Sequence, residues 1–201
     1  MRFILASMSP RRKELLSQIG IEFEVIPAQG EEILTTTVPK DAVMELASQK
    51  AEEVFLRVSE KAEPNSPIVI LGADTVVSFL DEIMGKPKDE EEAFSMLSKL
   101  SGNVHSVYTG VSIIYYKDNK KQMHTFYQET KVWMYPAEER DILRYIKTKE
   151  PMDKAGAYGI QGKGAVLVEK IEGDYNNVVG LPAAKLNQQL KKLGIEIFPD
   201  S

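Results

Sequence analysis

The chain has 201 residues, 43% of them hydrophobic and 27% charged, with a formal net charge of −5. This is the composition of an ordinary globular protein, long enough to bury a core as one large domain or two closely joined lobes. No apolar run approaches the ~20 residues that span a bilayer. The acidic balance argues against coating nucleic acid by charge, and the lack of cysteine excludes disulfides, thiolate zinc sites and cysteine nucleophiles. Neither a membrane nor a nucleic acid is expected as a partner, and any anionic ligand must be held by a local cluster of positive groups. A cytoplasmic location fits this composition.

Phe3-Ile4-Leu5-Ala6 reads as a short buried strand rather than part of a signal peptide, because its apolar stretch is short and Pro10-Arg11-Arg12 follows. Ser9-Pro10 predicts a helix start with Ser9 as cap; Leu15, Leu16 and Ile19 face inward and Gly20 ends it. Ile21, Phe23 and Val25 alternate with acids, as in a half-buried strand. A longer helix begins near Pro39-Lys40-Asp41, with Ala47, Ala51, Val54, Phe55 and Val58 on its apolar stripe. Glu60 to Pro67 reads as a polar loop, and Ile68 to Leu71 as a central strand.

Asp89 and the three glutamates after it open an acidic helix packed through Met96, Leu97 and Leu100. Val107 to Tyr116 and Gln122 to Tyr135 predict a hairpin across Lys117 to Lys121. A helix from Pro136 runs through Ile142, Tyr145 and Ile146. Strands are expected at Ala165 to Ile171 and Tyr175 to Val179. Pro182 opens a last helix carrying Leu186, Leu190 and Leu193. Interleaved hairpins and strand–helix units predict an α/β chain with a mixed, twisted sheet flanked by helices.

Five segments are candidates for chemistry. In Leu5 to Arg12, two arginines stand in the first turn of a helix, where they oppose the helix dipole. A bound anion relieves that opposition by accepting from N–H groups, hydroxyls and guanidinium forks; the alternative is that Arg11 and Arg12 point into water. In Leu71-Gly72-Ala73-Asp74-Thr75, a carboxylate follows a buried strand, where α/β sheets tend to bind ligands. Asp74 there serves to hold Mg²⁺ or orient a water, against the commoner case of a turn Asp bonded to local backbone. Lys86, in Gly85-Lys86-Pro87, either reaches phosphate oxygens or faces solvent. Glu31-Glu32 offers a second carboxylate for a hard metal, or mere surface charge. The glycine-rich Asp153 to Gly162 lets a ligand come close, and the Gln161 amide matches a base edge with a donor beside an acceptor; a simple turn between strands is the alternative. The separation of His105 and His124 points away from a histidine metal site.

Taken in order, LASMSPRRKELL, GADTVV, GKP, LSGNVHSVYTGV, DKAGAYGIQG and GDYNNVVGLP resemble the Maf family of nucleoside triphosphate pyrophosphatases over nearly the whole chain. DKAGAYGIQG resembles the branch acting on dTTP and UTP. The resemblance implies one domain over residues 1–201, with two lobes, a central cleft and an architecture similar to inosine triphosphate pyrophosphatase. It also implies a nucleoside triphosphate substrate, a divalent cation such as Mg²⁺ or Mn²⁺, and in many members a homodimer. Asp74 matches the family's acid/base. Arg11, Thr75 and Gln161 match positions of substrate choice, and Ser7, Arg12, Glu32 and Lys86 match other cleft residues. Met8 departs from the small residue of many members.

The expected reaction is attack of water on the α-phosphorus, with pyrophosphate leaving. Arg11, Arg12 and Lys86 hold the triphosphate, Glu32 and Asp74 hold the metal, and Asp74 takes the proton. Replacing either arginine is expected to weaken nucleotide handling far more than stability. The rival readings are a nucleotide-binding regulator of cell division or septum formation without turnover, and a hydrolase of another phosphate ester.

Overall fold

The computed structural model describes residues 1–59, 68–117 and 120–198. Its centre is a seven-stranded mixed sheet. The short β1 (Arg2–Leu5) lies parallel between β2 (Phe23–Val25) and the long β3 (Ile68–Phe79). On its other edge β3 pairs antiparallel with β5 (Val104–Lys117), then follow β6 (Lys120–Met134) and β7 (Val168–Glu172). The expected hairpin is present, since β5 and β6 pair out to Lys117 opposite Lys120. Asp118, Asn119 and the expected polar loop from Glu60 to Pro67 lie outside the described residues.

The cleft begins as an interruption of this sheet. The pairing of β1 with β3 ends at Leu5 opposite Leu71, with one last bond from the Ala6 N–H to the Leu71 carbonyl at 2.8 Å. The next partner on that edge, β4 (Glu82–Met84), joins only at Val77. From Gly72 to Val76, therefore, no described strand covers this edge of β3.

A separate core lies on each side of the break. One gathers Leu5, Leu16, Leu71, Ile113, Leu186 and Leu190 around α1 (Pro10–Gln18) and α6 (Ala183–Lys192). The other gathers Met84, Leu97, Leu100, Val107, Ile142 and Ile146 around α3 (Glu90–Leu100) and α4 (Glu139–Lys147). This is the expected pair of lobes with a central cleft.

On one sheet face lies α2 (Pro39–Ser59), which buries Val43, Leu46, Ala47, Ala51, Val54 and Val58 at spacings of three and four. Each large apolar side chain so buried stabilises the fold by roughly 1.5–3 kcal/mol. The helix comes very close because two strand positions carry no side chain. A Cβ at Gly72 would lie 2.2 Å from the Ala47 carbonyl oxygen, and one at Gly110 would lie 2.3 Å from that of Val43. Among the described residues no helix is long and apolar enough to cross a membrane.

Several expectations need correction. The strand begun at Ile68 does not stop at Leu71; it continues through Gly72, whose missing side chain serves helix packing rather than a turn. Asp74 is thus inside a strand. Tyr175–Val179, expected as a strand, is a short helix, α5. The Asp174 side chain accepts from the Asn176 N–H at 2.8 Å, and Gly180 closes the helix at φ +129°. The start of the expected strand at Ala165 is instead a 3₁₀ turn, Gly162–Leu167. Ser9 precedes the helix but makes no side-chain cap bond; the Ser9 N–H donates to Ser7 Oγ at 3.3 Å.

Candidate active site

Ser7, Arg11, Arg12, Glu32, Asp74, Thr75, Lys86 and Gln161 all line one cleft of about 1460 Å³ opening at the break in the sheet. That volume exceeds the ~300–1,000 Å³ usual for a small-ligand site. Size alone therefore excludes no ordinary nucleotide, and selectivity must come from placed polar groups.

Asp74 lies on the strand face covered by α2, in step with Gly72. Because Gly72 admits α2 so closely, Lys50 on that helix reaches the carboxylate: Lys50 Nζ stands 2.5 Å from Asp74 Oδ1 and 2.9 Å from Glu32 Oε1. The Lys50 and Asp74 side chains are only 15% and 14% exposed, whereas Glu32 is 53% exposed. Water therefore screens the Glu32 contact far more than the Asp74 contact.

The loop carrying Glu32 has no regular structure, yet α2 holds it at three places one turn apart. The Glu53 carboxylate accepts from the N–H groups of Gln29 and Gly30 at 2.9 Å. Gln49 accepts from the Ile33 N–H at 3.0 Å, and Glu45 from the Thr35 N–H at 3.0 Å. Burial works against the Glu53 charge, but the two backbone donors outweigh it and hold that carboxyl below its ordinary range.

Thr75 projects to the opposite face, towards α1. There Arg12 is held by a fork of acceptors: Nε donates to the Gly180 carbonyl at 2.9 Å, Nη1 to Ser7 Oγ at 3.1 Å and Nη2 to Thr75 Oγ1 at 3.0 Å. Three of the five guanidinium N–H donors thus go to protein, leaving two for a ligand. Burial pulls the Arg12 pKa down from its ordinary value, the charges of Asp74 and Glu32 oppose that, and Arg11 adds to it. An arginine nevertheless keeps its proton. Thr75 Oγ1 also meets Thr109 Oγ1 at 3.0 Å, and Thr109 donates to the Asn177 carbonyl at 3.0 Å, which ties α5 to this point.

Arg11 crosses the cleft. Its Nη1 lies 3.1 Å from Asp153 Oδ2 on the far wall, and Lys154 Nζ donates to the other Asp153 oxygen at 2.6 Å. Burial raises the Asp153 pKa, but the bonds and charges of Lys154 and Arg11 prevail and hold it below the ordinary range. Lys86 is exposed at the cleft rim with no side-chain partner among the described residues; its turn is fixed by the Gly156 N–H donating to the Gly85 carbonyl at 3.0 Å. Gln161 is half-buried in the same wall and its amide makes no described hydrogen bond. Met8, the departure noted in the sequence, is exposed along the lining.

The candidate residues thus meet in one place, but two of their partners were not expected. Lys50 falls within the apolar stripe of α2, three residues after Ala47 and four before Val54, so a lysine there is a signal that the expected stripe passes over. Asp153 sat within the quoted glycine-rich segment, yet its pairing with Arg11 spans 142 positions of sequence. A sheet edge left open between two lobes, with carboxylates, arginines and lysines facing the opening, is an arrangement suited to binding a polyanion and activating a water.

The Maf family model, described as "Maf-like protein", matches residues 2–193, and the chain belongs to this family. A protein of Agathobacter rectalis named dTTP/UTP pyrophosphatase is 55% identical over 203 residues, covering 98% of this chain and 99% of the relative. One from a Thermoanaerobacter species with the same name is 50% identical over 192 residues, covering 96% of each chain. Among solved structures, the Staphylococcus aureus Ham1 protein is 16% identical, with a TM-score of 0.45 over 84% of this chain and 80% of that one.

Proposed function

We propose that this chain hydrolyses dTTP and UTP to the monophosphate and pyrophosphate. The names of its Maf-family relatives support the substrates. The observation that carries the chemistry is the position of Asp74: a largely buried carboxylate at the break in the sheet, beside Lys50 and Glu32 and facing the same cleft as Arg11 and Arg12.

In this mechanism the triphosphate lies between α1 and the turn of Lys86. Arg11 and Lys86 bind phosphate oxygens, and the two spare N–H groups of Arg12 do the same while its other three keep the side chain in place. A water approaches the α-phosphorus on the side of Asp74, which accepts its proton as the new P–O bond forms. The bond from the α-phosphorus to the bridging oxygen breaks and pyrophosphate departs with that oxygen. Little covalent work falls to the protein, so positioning and charge neutralisation dominate. Gln161 faces the base: its carbonyl accepts from the uracil or thymine N3–H, and its NH₂ donates to a neighbouring carbonyl.

The donor set fits a divalent cation. Glu32 and Asp74 converge on one cationic point, the Lys50 ammonium. Two carboxylates completed by phosphate and water oxygens make an ordinary Mg²⁺ or Mn²⁺ environment. These residues would hold the ion, which when bound supplies charge neutralisation at the phosphates and acidifies a bound water.

A panel of dTTP, UTP, CTP, dATP and GTP, assayed for both pyrophosphate and orthophosphate with Mg²⁺, Mn²⁺ or chelator, tests this. Pyrophosphate released fastest from dTTP and UTP, and lost with chelator, is expected. Release of orthophosphate, or binding without turnover, overturns it.

A further inference from the structure

Base choice in the proposed reaction falls to Gln161, whose own side chain has no described partner. What surrounds the base is therefore set by the loop that carries it, and one carboxylate holds that loop. Glu150 Oε2 accepts from the Lys163 N–H at 2.9 Å, and Oε1 accepts from the Gly164 N–H at 2.9 Å and the Tyr145 hydroxyl at 3.0 Å. The Tyr145 oxygen in turn accepts from the Gly159 N–H at 3.2 Å. The chain is thus fastened on both sides of Gln161 by the same Glu–Tyr pair.

Packing leaves the loop no slack. A Cβ at Gly164 would stand 2.4 Å from the Gly159 carbonyl oxygen and 2.5 Å from the Tyr145 hydroxyl oxygen; one at Gly162, where φ is +73°, would stand 2.9 Å from Glu150 Oε2. Burial disfavours the Glu150 charge, yet the donors from Lys163, Gly164 and Tyr145 outweigh it and hold the carboxyl below its ordinary range. Glu150 also reaches the phosphate side. Its backbone carbonyl accepts from Lys154 Nζ at 2.6 Å, the same ammonium that binds the Asp153 partner of Arg11.

We propose that Glu150 is a positioning residue for base selection, its carboxylate and the Tyr145 hydroxyl fixing the Gly159–Gly164 loop around Gln161. This rests on the dTTP and UTP reading above. A free amide turns over to suit either uracil or cytosine. When the backbone N–H and C=O groups beside it stand at fixed places, the wrong edge leaves buried groups unpaired, and rejection follows.

The test measures kcat and KM for dTTP, UTP and CTP, together with amide hydrogen exchange across the loop, in wild type, Glu150→Gln and Tyr145→Phe. Glu150→Gln keeps the shape but turns an NH₂ donor towards backbone donors. The preference for dTTP over CTP should fall about tenfold, the scale of one such hydrogen bond. The change should lie in KM, with kcat at saturating dTTP little altered, and the Lys163 and Gly164 amides should exchange faster. Tyr145→Phe, which removes one hydroxyl, should show the same pattern more weakly, and it carries the test if Glu150→Gln does not fold. A wild-type preference that survives in the folded variants overturns this inference alone. A wild type that does not prefer dTTP and UTP over CTP overturns the base reading with it.

Discussion

Asp74 and Thr75 are neighbours on one strand yet serve opposite faces of the sheet: Asp74 meets Lys50 on α2, and Thr75 meets Arg12 on α1. The alternation of a β-strand alone produces this division. It sets the proposed proton acceptor on one side of the break and the arginine fork on the other, so a phosphorus centred between them faces both. Two unrelated helices are thereby brought to adjacent residues.

Asp74→Asn should fold, with a lowered melting temperature because Lys50 loses its largely buried carboxylate partner, and should lose about 10²–10⁴ in turnover, the usual contribution of a general base. Pyrophosphate release by the purified variant measures it. Near wild-type release would remove Asp74 from the mechanism.

Gly72→Ala should damage both stability and turnover. Its Cβ falls on the Ala47 carbonyl, so α2 must move off the sheet and carry Lys50 away from Asp74. Overpacking of this kind costs about 1–3 kcal/mol. Chemical denaturation and kcat should fall together; unchanged values in both would mean that the helix does not set the Lys50 position.

The two arginines should separate. Arg12→Ala breaks three bonds at a half-buried junction of α1, β3 and the end of α5, and should lower stability by at least ~1.5–3 kcal/mol, the worth of one charge-assisted bond. Arg11→Ala loses one contact to the exposed Asp153, worth at most ~1 kcal/mol, while still weakening nucleotide binding. Equal melting temperatures for the two variants would contradict this difference. The expectation from sequence treated both as nucleotide contacts only, because a guanidinium's protein partners leave no trace in local pattern.

Acid should destabilise the second lobe through His105. Its ring is buried against the Tyr158 hydroxyl, with Nδ1 lacking a partner among the described residues, and burial lowers its pKa from 6.5 to about 4. Between those values the unfolded chain binds a proton that the native state refuses. Stability from this group is thus full above pH 6.5 and falls with pH to about 4, by up to ~3 kcal/mol. Urea unfolding across that range should show the slope, reduced in His105→Gln; an unaltered slope would assign it to other groups.

Much of this was legible in sequence. The stripes of α2 and α3, the β5–β6 hairpin and the cleft residues from Ser7 to Gln161 could be read from periodicity and motif. The failures share a cause: residues whose meaning is set by what packs against them. The strand is expected to end at Leu71 because nothing local reveals that it runs on through Gly72, with a helix backbone 2.2 Å from the absent side chain. Tyr175 to Val179 reads as a strand, and the cap at Asp174 and the close at Gly180 are what mark it as helical. Glu150 is an ordinary charged residue until the fold brings three donors to it, whereas Lys50 interrupts the apolar stripe of α2 and could have been marked from periodicity.

The break in the sheet has a mechanical consequence. β3, β5 and β6 run beneath both lobes without interruption, joined to one another by continuous pairing. Two lobes linked by loops swing like jaws on a hinge; two lobes seated on one unbroken triple ribbon approach only as that ribbon twists. The ribbon's stiffness therefore limits the travel of the cleft walls, and the floor that carries Asp74 and Thr75 keeps its shape.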